Sequence, residues 1–138
     1  MTCLRWSVPR PARVLVVDDT ANVRALIQVN LELEGIEVHL ATDGQEALDR
    51  VLEVDPDLIT MDVMMPRLDG LAAASRLKAA AATAAIPIVM VSARAQAADR
   101  QAGQDAGVDA YVTKPFDPDE LVATVLRLLP ADLRPRQP

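Results

Sequence analysis

"RVLVVDDTANVRALIQVNLELEG", residues 13–35, holds one complete passage from strand to helix. Val14, Leu15, Val16 and Val17 make a short, mostly β-branched apolar run. A run this short, closed by polar residues, reads as a buried strand. Asp18 and Asp19 close it. From Thr20 the period changes: Val23, Leu26, Ile27 and Leu31 recur at helical spacing, and Gly35 stands where a helix C-cap belongs.

The alternation repeats outward from this segment. "IEVHLA" (36–41) alternates with period two, as an edge strand does, and "DGQEALDRVLEV" (43–54) is helical. "DLITM" (57–61) is a strand that starts after Pro56, and "LDGLAAASRLKAAAA" (68–82) is an alanine-rich helix. "IPIVMVS" (86–92) is a strand with its proline near the start, where a missing N–H is tolerated. "AQAADRQAGQDAG" (95–107) is a weakly apolar helix and "VDAYVT" (108–113) a strand. "DPDELVATVLRLL" (117–129) is a helix with Pro118 in its first turn and acids near its N-terminus. Five strand–helix repeats predict an α/β fold: a doubly wound, five-stranded parallel sheet, helices on both faces, joined by right-handed crossovers. The expected organisation is a basic, proline-bearing leader over 1–12, one domain over 13–129, and a tail or the start of a linker over 130–138.

Composition narrows the function classes. With 138 residues, 51% of them hydrophobic, the chain suits one domain with a sizeable core. The formal net charge is −6, and the stretch 14–129 carries 9 basic and 19 acidic residues. Such a body repels phosphate backbones, so direct nucleic-acid binding is not expected. Trp6, Tyr111 and Phe116 are the only aromatics, too few for a base-stacking surface. Cys3 is the only cysteine, which fits a reducing compartment. No apolar run approaches the roughly 20 residues that span a bilayer, and the first 13 residues lack the apolar core of a signal peptide. These features predict a soluble cytoplasmic protein with no membrane association.

In doubly wound sheets the functional crevice lies beyond the carboxyl ends of the strands. The five predicted strands end in Asp18-Asp19, Ala41-Thr42, Asp62, Ser92-Ala93 and Thr113-Lys114-Pro115. Three carboxylates, a hydroxyl and an ammonium therefore gather at one sheet edge, from four segments separated by 43, 30 and 22 residues. Three clustered carboxylates repel one another, so each rises in pKa or the group recruits a cation. Oxygen donors with room for water suit Mg²⁺ or Mn²⁺ better than Zn²⁺. A hydroxyl and a lysine nearby can hold phosphoryl oxygens. Phosphoryl transfer needs little beyond a nucleophile and such donors, and a carboxylate can be the nucleophile.

"VLVVDD", "MDVMMPRLDG", "IPIVMVSA" and "YVTKPF" together resemble the motifs of response-regulator receiver domains of two-component signalling, the CheY-like phosphoacceptors. The resemblance runs from Arg13 to Leu129, 117 of 138 residues, with every motif in order. It implies a (βα)5 flavodoxin-like sheet of strand order 2-1-3-4-5. It implies that Asp62 accepts phosphate from the phosphohistidine of a sensor histidine kinase or phosphotransfer protein. Asp19 would hold Mg²⁺ directly, Asp18 largely through water, with Asp62 and the backbone carbonyl of Met64 completing the metal site. Ser92 and Lys114 would hold the phosphoryl oxygens, with Ala93 beside them. Tyr111 matches the aromatic switch residue, and Lys114-Pro115 a peptide bond that is usually cis in the family. Such a chain catalyses its own phosphorylation and slow dephosphorylation without being an enzyme in the usual sense. The fourth helix, fifth strand and fifth helix would form a surface that switches partner binding. Ser92 stands where threonine is commoner, and the phosphate contact is expected to survive.

Taken singly, these residues have plainer roles. An acid pair after a strand is an ordinary turn or helix cap, which Thr20 could also supply. Asp62 alone could be a turn acid, Lys114 a surface lysine and Tyr111 a strand aromatic. Asp69-Gly70 reads as a turn and helix-start device, with Gly70 leaving room near the loop that follows Asp62. Met61, Met64 and Met65 read as packing and loop residues, and His39 as an exposed strand residue. The conjunction at strand ends favours the site. An aspartate-nucleophile phosphatase is a second class, suggested by "VVDDT" (16–20), but its two acids would be separated by one residue and here they are adjacent. A flavin module on the same fold would need a Ser/Thr/Gly-rich loop after the first strand, where "DDTANV" offers two repelling acids. No DNA-binding helix pair follows Leu129, so the expectation is a stand-alone receiver or one excised from a longer regulator. Its downstream partner would be a target protein or an output domain outside the chain. The expected state is a monomer that can dimerise on phosphorylation.

Overall fold

A computed structural model describes residues 10–133 of the chain. Among the described residues five strands alternate with five helices: β1 (Arg13–Val17), α1 (Ala21–Glu32), β2 (Glu37–Ala41), α2 (Gly44–Val54), β3 (Leu58–Met61), α3 (Gly70–Ala79), β4 (Ile88–Ser92), α4 (Ala97–Asp105), β5 (Ala110–Thr113) and α5 (Pro118–Leu128). A single turn of 3₁₀ helix follows at Ala131–Leu133. The strands form one sheet in the order β2-β1-β3-β4-β5. Every pairing is parallel: Val14 lies opposite Val38 and Leu58, Met61 opposite Met90, and Ser92 opposite Thr113. This is the predicted doubly wound fold with its predicted strand order.

Strand alternation divides the core into two layers. Leu15, Val17, Ile59, Met61, Ile88 and Met90 face one way and pack with Ala47 and Val51 of α2 and Ala73, Ala74 and Leu77 of α3. Val14, Val16, Leu58, Val89 and Val91 face the other way and pack with Ile27 and Leu31 of α1 and Leu121 and Val125 of α5. Each fully buried aliphatic side chain stabilises the fold by about 1.5–3 kcal/mol relative to exposure. β1, β3 and β4 contribute side chains to both layers, which is why their sequences read as unbroken apolar runs. β2 lies at the edge and is more exposed, which is why "EVHLA" alternates. His39 is a half-exposed strand residue there, its Nε2 2.6 Å from Glu37 Oε2.

The helix ends follow local chemistry more closely than the sequence pattern indicated. α1 closes on Gly35 at φ +82°, where Gly35 N–H donates to Glu32 O at 3.0 Å and Ile36 N–H to Leu31 O at 3.2 Å. That pair of bonds satisfies the last helical carbonyls, and glycine takes the left-handed position. Asp43, Asp69 and Asp117 cap α2, α3 and α5 by accepting backbone N–H bonds. Thr20 occupies the N-cap of α1 without a side-chain capping bond. α3 is shorter than the alanine-rich stretch 68–82, because the chain leaves helical conformation at Ala80.

The body also reaches slightly past the expected limits 13 and 129. Ala12 is buried, and Arg10 makes a two-pronged ion pair with Asp57, whose Oδ2 also accepts from Arg13 N–H. Leu133 packs against the layer formed by α1 and α5. The remainder of the expected leader and tail, residues 1–9 and 134–138, and with it Trp6 and Cys3, lies outside the described residues.

Candidate functional site

β1 and β3 are adjacent and in register, so the residues that follow them meet. The N–H of Asp62 donates to Val17 O at 3.0 Å, carrying the ladder one step beyond the strands. That bond sets Asp62 beside Asp18. Both are buried, while Asp19 is exposed at the rim. One carboxylate oxygen from each of Asp18, Asp19 and Asp62 lies within 4.8 Å of the others, all of them hard donors suited to a divalent cation.

Asp18 is the most constrained of the three. Its Oδ1 accepts the N–H of Thr20 at 2.9 Å and its Oδ2 accepts Lys114 Nζ at 2.8 Å. Lys114 also approaches Asp62, with Nζ 3.4 Å from Oδ2. Its reach across the site follows from β5, whose end is tied to β4 by Lys114 N–H donating to Ser92 O at 2.8 Å. The Lys114-Pro115 bond that follows is cis. Burial pushes the Asp62 carboxyl above the usual range, the charge of Asp18 pushes it further, and Lys114 opposes both.

Ser92 is buried at the end of β4, and its Oγ accepts the N–H of Arg94 at 3.1 Å. Ala93 is exposed beside it and lines an apolar groove of about 350 Å³ with Val23, Leu26, Lys114, Pro115 and Phe116. Tyr111 is half-buried on β5. Its hydroxyl donates to Arg94 O at 2.5 Å, and the Arg100 guanidinium lies 5.3 Å from its ring centroid. Tyr111 thus rests on the segment that follows Ser92. The side chain of Met64 is exposed, Met61 is buried core, and Met65 packs partly against it.

Gly70 is more than a helix starter. A Cβ built there would lie 1.9 Å from the carbonyl oxygen of Asp62, so only glycine lets α3 begin this close to the site. Two features escaped the sequence reading. Arg24 donates from Nη1 to Asp18 O at 2.8 Å, bracing the acid turn from the first turns of α1. Arg67 pairs with Asp43, holding the β3–α3 loop to the start of α2. The helical spacing of "TANVR" puts Arg24 one turn after the acids, a signal that could have identified the first; the second joins residues 24 apart with no local pattern.

Comparison with known proteins agrees with this arrangement. The family described as response regulator receiver domain matches residues 14–126. The DNA-binding dual master transcriptional regulator RpaA of Synechocystis sp. is 40% identical over 117 residues, covering 85% of this chain and 48% of that protein. The response regulator MprA of Mycolicibacterium vanbaalenii is 44% identical over 119 residues, covering 86% and 51%. The chain therefore spans about half the length of these curated relatives. Among solved structures, the chemotaxis protein CheY4 of Vibrio cholerae superposes with a TM-score of 0.82 at 32% identity, covering 86% of this chain and 99% of that one. The receiver domain of Francisella response regulator 1452 gives 0.79 at 35% identity, covering 85% and 95%. Among the described residues no helix is long and apolar enough to cross a membrane. Motifs, topology and comparisons converge: the chain belongs to the response-regulator receiver domain family.

Proposed function

We propose that the chain is a phosphorylation switch that accepts a phosphoryl group on Asp62 from the phosphohistidine of a sensor histidine kinase or a phosphotransfer protein. The observation that carries this reading is the placement of Asp62, buried against Asp18 and Lys114 with Asp19 completing a cluster of oxygen donors. A carboxylate oxygen of Asp62 attacks phosphorus, an O–P bond forms, and the N–P bond to the donor imidazole breaks. Asp18, Asp19, Asp62 and the backbone carbonyl of Met64 would hold Mg²⁺ or Mn²⁺, which supplies charge stabilisation across the phosphoryl oxygens. Lys114, already directed between Asp18 and Asp62, neutralises charge on the same oxygens. The Ser92 hydroxyl and the backbone beside Ala93 offer further donors at the end of β4.

The switch follows from what touches Ser92. Drawing its hydroxyl toward a phosphoryl group disturbs the Ser92–Arg94 bond, and Arg94 O is the partner of the Tyr111 hydroxyl. Tyr111 is then released to turn, biasing the face made by α4, β5 and α5 between two states read by a target protein or an output domain. α4 suits this role: Gly103 is its only buried residue, so packing holds it weakly. A kinase donor also places the chain in the cytoplasm. The test is to add beryllofluoride and Mg²⁺ and follow backbone amide resonances. Shifts around Ser92, Tyr111 and α4 in the wild type, absent in Asp62→Asn, support the reading. Identical behaviour of the two proteins refutes it.

A further inference from the structure

Arg67 holds a backbone conformation that residues with a Cβ avoid. Its φ is +65°, and across it Leu68 N–H donates to Pro66 O at 2.7 Å. This closes a three-residue turn of the rare, strained hand. Glycine would adopt it without steric cost. Arginine instead makes a two-pronged ion pair: Nε donates to Asp43 Oδ2 at 2.8 Å and Nη2 to Asp43 Oδ1 at 3.1 Å. Asp43 is a firm anchor, being 6% exposed and capping α2 through the N–H of Glu46 at 2.8 Å. The backbone follows the side chain. Gly44 N–H donates to Leu68 O at 3.1 Å, and a Cβ on Gly44 would lie 2.4 Å from that oxygen. A strained turn, a bidentate pair and a close backbone contact thus seat residues 66–68 on the start of α2.

The same loop begins at Asp62. Its first residue is tied to β1 through Val17 O, and its far end returns through Gly70 N–H to Val63 O at 2.8 Å. Between them, the exposed Met64 side chain gives little anchorage. A costly backbone conformation beside a site persists only where its surroundings over-determine it. Here the overdetermining contact is Asp43.

We propose that Arg67 is a positioning residue: through Asp43 it holds the β3–α3 loop in the register that lets the Met64 carbonyl join Asp18, Asp19 and Asp62 around a divalent cation. This rests on reading the acid cluster as a cation site. A merely structural Arg67 would affect melting and leave cation affinity alone.

Calorimetric titration of the full chain with Mg²⁺, paired with thermal melts, separates the two. Arg67→Gly relieves the turn while deleting the ion pair, so its melting temperature is expected within about 4 °C of wild type. Its Mg²⁺ affinity is expected to fall about tenfold, the low end for residues that orient metal ligands. Arg67→Lys keeps the charge and loses the fork, so it should lie between the two. Wild-type Mg²⁺ affinity in Arg67→Gly overturns the inference. Should Arg67→Gly melt far below wild type, Arg67→Lys decides by the same criterion. Absence of Mg²⁺ binding by the wild type, or equal binding by Asp62→Asn, sinks the cation-site reading itself and takes this inference with it; neither result involves Arg67, so the two failures are distinct.

Discussion

Lys114 Nζ lies 2.8 Å from Asp18 Oδ2, closer than the 3.4 Å that separates it from Asp62 Oδ2. Asp18 and Lys114 come from opposite ends of the domain, and both are largely buried. The lysine therefore bridges two acids that would otherwise repel. Replacing it with an isosteric apolar residue, Lys114→Met, leaves Asp18 and Asp62 facing each other unneutralised. Unfolding by urea at neutral pH should show a loss of about 3 kcal/mol, the usual cost of stranding a buried charge. Acidifying until the Asp62 carboxyl protonates should shrink that loss. A loss independent of pH would mean that Lys114 acts through packing alone.

Asp62 itself costs stability when ionised. Burial holds its folded-state carboxyl above the ordinary value of 3.8, with Asp18 adding to the effect. A raised carboxyl favours folding while protonated and loses that advantage as pH rises through the folded-state pKa. Asp62→Asn should therefore be more stable than wild type at neutral pH. The difference should disappear as pH falls below the ordinary carboxylate range. Melting curves across that range check the sign, and a destabilised Asp62→Asn at neutral pH contradicts it.

Gly70→Ala tests the close approach of α3 to the site. The added Cβ would lie 1.9 Å from Asp62 O, a backbone atom that cannot swing aside. The expected loss is about 1–3 kcal/mol, with disturbance of the acid cluster beyond the loss of stability. Mg²⁺ affinity measured well below the melting temperature should also fall. An unaltered melting temperature would show that the helix start relaxes freely.

Thr60→Val should stabilise. Thr60 is buried in β3, and its Oγ1 has no hydrogen-bond partner among the described residues. Valine fills the same space without the orphan hydroxyl, so a gain of about 1 kcal/mol is expected from denaturant unfolding. A destabilised Thr60→Val would reveal a hydrogen bond that this geometry lacks.

The parts legible in the sequence are those with local or periodic signatures. Strands such as "VLVV" and "LITM" announce burial on both faces, and the acids, serine and lysine at strand ends mark the crevice. Gly35 was legible because a left-handed helix end selects glycine. Other features depend on distances that no local pattern encodes. The preference of Lys114 for Asp18, the brace from Arg24 to Asp18 O and the clamp between Arg67 and Asp43 arise only once the sheet is assembled. The closeness of Gly70 to a carbonyl eight residues earlier in the chain, and the packing of Ala12 and Leu133, rest on contacts that composition hides behind prolines and arginines.

Asp62 is the proposed carrier of the phosphoryl group. Intact mass measurement after incubation with Mg²⁺ and a small phosphodonor, followed by mapping of the modified peptide, tests it directly. The wild type should gain a single phosphoryl group, labile to hydroxylamine as an acyl phosphate is, on the peptide containing Asp62. Asp62→Asn should gain none. Equal labelling of both proteins, or a modification mapped to Ser92 or Asp19, would exclude Asp62 as the phosphoacceptor.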